Sequence, residues 1–242
     1  MNRAMIAAAS GMAAQQTNLE VIADNLANAD VAGFKRAAAS FIDVNAGGEL
    51  GLGTAQLGRH AIFAQGKLMK SGGPFDVAID GAGFFSVVKN GKLAFTRAGA
   101  FTRTPVGEVQ NAAGWKLEGV QLPADALRVT VEKDGRLFID TAKATHLAAG
   151  SIRLAAFIAP ESLRSLGGTL FAATRASGPV QRFTPGGEGR PSIAFGMLEK
   201  SNVSIVESMM QILSAQRAYE ANAKGVQAAD EMLRIANNLH RS

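Results

Sequence analysis

Apolar residues recur at every seventh position toward the C-terminus, at Ile205, Ile212, Tyr219, Val226 and Leu233. Met209, Ala215, Ala223, Ala229 and Ala236 widen this stripe, while Glu207, Gln211, Arg217, Lys224, Gln227 and Glu231 fall largely outside it. A period of seven sustained from Ser201 to Arg241 predicts one long helix with an apolar seam. Ser204 followed by Glu207 has the spacing of a capping box, in which hydroxyl and carboxylate each satisfy an amide that the first turn leaves open. Gly225 is the one glycine in the run, at a cost of about 1 kcal/mol, and is expected to mark a close helix contact. The N-terminus supplies a second stripe: Met5, Met12, Leu19 and Leu26 are also seven apart, with Ala8, Ala9, Ile22 and Ala23 beside them. Asn28, Asp30 and Gly33 then signal its end. Both seams are rich in alanine, so each helix can approach a neighbour closely but buries little area. Pairing with one another and with further copies is the expectation; docking of both onto one globular core is the alternative.

Between the helices the period changes. Phe34 to Val44 mixes apolar and basic residues, as an extended leg would, and Gly47, Gly48, Gly51, Gly53 and Gly58 make a flexible or extended connection. Strand-like segments follow at 75–79, 83–88 and 93–96, the last two joined by Asn90-Gly91. That dipeptide favours a tight hairpin, because both central residues of such a turn need positive φ. Residues 127–131 and 137–139 flank a second turn at Asp134-Gly135. Segments 151–158 and 193–198 are further strand candidates, 160–166 a short helical turn, and 178–191 a glycine-proline loop. The predicted fold is α+β: long terminal helices pairing as a coiled coil, with a mostly antiparallel β domain inserted between them. The divisions are 1–33 (helix), 34–66 (connection), 67–200 (β domain) and 201–242 (helix).

A chain of 242 residues can bury a sizeable core. The formal charge of +5 and isoelectric point near 9.7 arise from basic residues scattered singly, without interleaved aromatics, so no nucleic-acid site is indicated. The absence of cysteine rules out disulfides and thiolate ligands. Arg3 and the following alanines resemble the start of a signal peptide, but Gln15, Gln16, Asn18 and Glu20 arrive while the heptad continues, so the segment reads as retained helix. No apolar run is long enough to span a membrane as a helix.

Catalytic chemistry finds little support. Asp76 and Asp80, four residues apart on a strand, lie roughly 13 Å from each other, too far for the carboxylate pair of a glycoside hydrolase. His60, His146 and His240 have no ligand spacing among them. Gly81-Ala82-Gly83 precedes a strand, not the helix a phosphate loop requires. Ser10-Gly11 lies on a helix with no histidine partner evident. No cofactor or metal site is expected.

Several phrases resemble the flagellar basal-body rod protein family. Residues 14–28, AQQTNLEVIADNLAN, are similar to its N-terminal signature and include Asn18, Asn25 and Asn28; Gly33-Phe34-Lys35-Arg36 completes it. Residues 198–203, with Asn202, and 216–222, with Arg217 and Asn222, resemble the family's C-terminal end. Residues 75–85 and 95–101 are similar to its β-domain phrases. The resemblance implies a structural subunit and not an enzyme. It implies helical self-association into a hollow tube that crosses the periplasm and carries torque to the hook. Terminal helices would line the tube and the β domain would form its outer wall. It also implies proximal rod, hook and ring proteins as partners, a cell-wall ring among them, and export by the flagellar type III machinery without a cleaved signal peptide. Met5, Met12, Leu19, Ile22 and Leu26, with Ile205, Met209, Ile212, Tyr219, Val226 and Leu233, would form the assembly seam, and the asparagines would fix its register. The 216–222 phrase favours the distal rod. The connection from Phe41 to Phe63 is shorter than distal rod proteins generally carry, which leaves the proximal rod open. A hook protein would need a larger outer domain. An envelope adhesin would explain the helices but not the phrases, and a peptidoglycan-acting enzyme would need clustered ligands or carboxylates.

Overall fold

Asn90 and Gly91 adopt φ of 50° and 74°, the two positive values a tight hairpin demands, and the flanking strands pair antiparallel out to Lys89 and Lys92. At the second hairpin Gly135 alone has positive φ, 82°, and the Asp134 carboxylate accepts the Arg136 amide at 3.1 Å. Both turns are local solutions written in two residues, and they organise the antiparallel sheet around them.

The computed structural model describes residues 3–44, 53–123, 125–142, 144–187 and 189–239. Gly47, Gly48 and Gly51 of the expected connection lie outside the described residues, as do His240 and the side chain of Ala236. The first elements are α1 (Arg3–Ala27), β1 (Ala37–Asp43), β2 (Thr54–Ala61), β3 (Leu68–Lys70), β4 (Val77–Asp80), β5 (Phe84–Lys89) and β6 (Lys92–Thr96). Next come β7 (Thr102–Arg103), β8 (Glu108–Gln110), β9 (Lys116–Gln121), β10 (Arg128–Val131), β11 (Arg136–Asp140), β12 (Leu147–Ser151) and β13 (Leu154–Ala156). A 3-10 turn at Pro160–Ser162 precedes β14 (Arg164–Gly167), β15 (Leu170–Ala172), β16 (Gln181–Phe183), β17 (Ser192–Phe195) and β18 (Met197–Glu199), and α2 (Ile205–Leu239) ends the series.

These elements form two units. One is built from α1, β1, most of β2 and α2; β1 and β2 pair, so strands occupy part of the segment expected to be a connection. The other comprises residues 30–36 and 61–202. Its main sheet runs β10-β11-β12-β9-β5-β6-β15-β14, with β13 and β16 joined at β5, and β7 and β8 at β9. The described pairings in this unit are antiparallel. Alternation along the central strands sends Phe85, Val87, Leu117, Leu137, Ile139 and Leu154 into one apolar core. Phe84, Phe95 and Phe171 form a second on the other face, where Phe63 packs edge-on against Phe84 and Phe171 at 5.0 and 4.9 Å between ring centres. The expected strand at 151–158 is broken between β12 and β13, and the expected loop at 178–191 contains β16, which pairs with β13.

Candidate functional site: the helix pair and a buried ionic joint

In the helical unit, α1 and α2 pack closely. The face that α2 buries is marked by Ser208, Ala215 and Ala229, with Asn222 half-buried on the same seven-residue line. Ile212 and Val226 are half-buried beside it, whereas Ile205, Met209, Tyr219 and Leu233 are exposed within the unit. On α1, Ile22 is buried and Met5, Met12, Leu19 and Leu26 are half-buried. The close approach falls at Gly11, not at Gly225. A Cβ on Gly11 would lie 2.9 Å from Asn222 Nδ2, while nothing stands within 4 Å of one on Gly225. Periodicity alone could not separate the two glycines, because proximity is set by the partner helix.

Outside that line, α2 carries a second apolar row. Val206, Met210 and Leu213 are 69%, 60% and 57% exposed, and they sit at the i, i+4, i+7 spacing of one helix face. Met232 and Ile235 repeat the feature near the other end. Between them the exposed residues include Arg217, Glu220, Lys224 and Gln227, with Tyr219 the one large apolar side chain exposed among them, so most of the uncovered apolar surface lies toward the helix ends.

The helix starts and stops as its capping chemistry directs. Ser204 Oγ accepts the Glu207 amide at 3.3 Å, giving the hydroxyl half of the capping box, while Glu207 Oε1 accepts Gln211 Nε2 at 3.1 Å. Asn28 donates from Nδ2 to Asp24 O at 2.8 Å where α1 ends. Asn25 is buried and bonds Ala37 of β1 twice, donating to its carbonyl at 2.8 Å and accepting its amide at 2.7 Å. Such a two-way amide contact holds β1 to α1 as a strand neighbour would. Asn18 is half-buried and Arg217 exposed.

In the β unit, Gly33 and Asn202 belong to a joint that sequence reasoning did not assemble, and Phe34, between Gly33 and Lys35 in sequence, is buried. The carboxylate of Glu199, wholly buried, accepts Lys35 Nζ at 2.6 Å and the Gly66 amide at 2.8 Å on Oε1, and Arg97 Nε at 2.9 Å on Oε2. Lys35 Nζ also donates to Ala64 O at 2.7 Å, and Arg97 Nη1 to Gly81 O and Gly83 O at 2.9 and 2.7 Å. Burial lowers the Lys35 pKa, the hydrogen bond and charge of Glu199 oppose that shift, and the Arg97 charge adds to it. Around this triad the two ends of the unit are laced together. Gly33 N–H donates to Glu199 O at 2.7 Å and Arg36 N–H to Asn202 Oδ1 at 2.7 Å, while Asn202 Nδ2 reaches Ile62 O at 2.8 Å and Ala64 O at 3.0 Å. Gly33 has φ of 72°, and a Cβ there would stand 2.3 Å from backbone atoms of Ala98, so the position requires glycine. The only signal in the sequence was that Lys35, Arg97 and Glu199 each stand inside a family-like phrase.

The residues weighed for catalysis have structural partners. Asp76 is buried and accepts a hydrogen bond from Ser71, Asp80 accepts Gln65 Nε2 at 3.4 Å, and His60 Nδ1 meets Ser40 Oγ at 3.1 Å. Ser10 accepts the Thr54 amide at 3.0 Å. Among the described residues no three His, Asp or Glu side chains gather as metal ligands, and no helix is long and apolar enough to cross a membrane.

Three family profiles match in chain order. They are described as Flagella basal body rod protein at residues 5–35, Flagellar hook protein FlgE/F/G D1 domain at 78–139, and Flagellar basal body rod FlgEFG protein C-terminal at 195–239. The flagellar basal-body rod protein FlgG of Borreliella burgdorferi is 37% identical over the full length of both chains. That of Caulobacter vibrioides is 34% identical, covering 98% of this chain and 99% of its own, and the FlgF protein of the same organism is 31% identical, covering 98% and 97%. With full-length identity at this level, and all three profiles in order, the chain belongs to the flagellar basal-body rod protein family and is a structural protein, not an enzyme.

Proposed function

We propose that this chain is a subunit of the distal rod of the bacterial flagellum, polymerising helically into the hollow shaft that carries torque across the periplasm to the hook. The observation that carries the reading is the apolar row Val206, Met210 and Leu213, left uncovered by α1 in a chain of the rod family. Exposed aliphatic surface on a regular helix is stabilised when a neighbouring subunit covers it. In this reading residues 1–33 and 201–242 form the tube, with Ile205, Met209, Tyr219 and Leu233 adding to the seam between copies, and 67–200 forms the outer domain. The partners are further copies, the proximal rod, the hook, the rings that surround the shaft and the flagellar export apparatus.

The preference for distal over proximal rod is supported by identity to FlgG at 34% against 31% to FlgF within one organism. Cross-linking in purified basal bodies tests it. A distal subunit yields adducts with hook protein; adducts restricted to proximal rod components assign the chain to the proximal rod instead. Val206→Asp and Leu213→Asp provide the assembly test: chains that fold normally but leave cells without hooks are expected, and normal hooks from both would refute this seam.

A further inference from the structure

The geometry points to a carboxylate-binding cleft in the β unit, at the fork where β9 and β13 separate along β5. β9 pairs with β5 at Leu117 and Val87, and β13 pairs with it at Leu154 and Phe85. Those four side chains enter the larger apolar core, so strand alternation places Ser86, Glu118 and Arg153 together on the opposite face. At this fork lies a cleft of about 340 Å³ lined by Glu118, Gly119, Ser151, Arg153 and Arg182.

Its charge is unbalanced. Arg182 Nη2 meets both oxygens of Glu118, at 2.9 and 3.1 Å, whereas Arg153 makes no ion pair among the described residues. Two guanidinium groups and one carboxylate leave a single positive charge. A monoanion restores neutrality; a doubly charged phosphate would leave an excess negative charge beside Glu118. The planar fork of a guanidinium matches the two oxygens of a carboxylate, and Ser151 lines the same cleft. The carboxylate has two possible sources, a free small acid or an acidic side chain on a second copy of this chain.

Acetate titrated into the isotopically labelled full chain at constant ionic strength, with chloride as control, tests the cleft. Saturable amide shifts at Gly119, Ser151 and Arg153 are expected, weaker with inorganic phosphate. Arg153→Gln should weaken acetate binding by about tenfold or more, the scale of one lost charge-assisted bond, with Arg153→Lys intermediate. Sedimentation separates the sources. Self-association reduced both by acetate and by Arg153→Gln identifies an acidic side chain of a second copy; self-association unchanged, with acetate still bound, identifies a free acid. Shifts matching those of chloride, or unaltered in Arg153→Gln, would overturn the proposal.

Discussion

Glu199 carries the only negative charge in a buried set that also holds Lys35 and Arg97. Removing it with Glu199→Ala leaves two cations buried without their counter-ion, and a loss of about 3–5 kcal/mol is expected, read from urea unfolding. Lys35→Met should cost much less, because it keeps the side-chain volume and the pair between Arg97 and Glu199. The two variants also separate charge from packing through pH. The folded Lys35 pKa lies below its ordinary value, so between that lowered value and the ordinary one, about 10.4, the unfolded chain holds more protons than the folded chain. Stability contributed by this group therefore rises with pH through that window, and the penalty for burying the ammonium is fully present below it. Relative to Lys35→Met, the parent chain should gain stability as pH rises from the lowered Lys35 value toward the ordinary lysine range; a difference independent of pH would show that the Lys35 ammonium is not the titrating group. None of this was legible from charge spacing, since the triad joins residues separated by 164 positions in sequence.

At the scale of elements, the hairpins at Asn90-Gly91 and Asp134-Gly135 were readable because their turn chemistry is local. The strands β7, β8, β9, β14 and β15 were not: they are short or carry weak alternation, and their pairing depends on neighbours far along the chain. The helices were plain from their periods, but which face meets which was not. The apolar seven-residue repeat in α2 runs through Ile205, yet the line of smaller residues through Ser208, Ala215 and Ala229 is the one buried, and only contact with α1 selects it. That division predicts two classes of variant. Ile212→Asp and Val226→Asp place a charge in a half-buried position and should loosen the helical unit itself, seen as faster hydrogen exchange in α1 and α2. Val206→Asp, on the outer row, should leave exchange in the isolated chain nearly unchanged, within the roughly 0.5 kcal/mol expected of an exposed site. Equal effects from the two classes would mean that α1 does not cover the face that Ile212 and Val226 share.

For the whole molecule, the chain divides its labour between a β unit that satisfies its own core and a helical unit that leaves apolar surface at the ends of α2. The central claim is that further copies cover this surface. The protein has no cysteine, so one introduced thiol is the only maleimide target in this chain and its labelling is read on the band of this subunit. Met210→Cys tests the claim directly by maleimide labelling of the dilute chain and of intact basal bodies, with Lys92→Cys at the exposed end of β6 as reference. The account predicts rapid labelling at position 210 in the dilute chain and at least about tenfold slower labelling in assembled rods, as desolvated contact surface requires. Equal labelling at position 210 in both states, in rods that are complete, would contradict it.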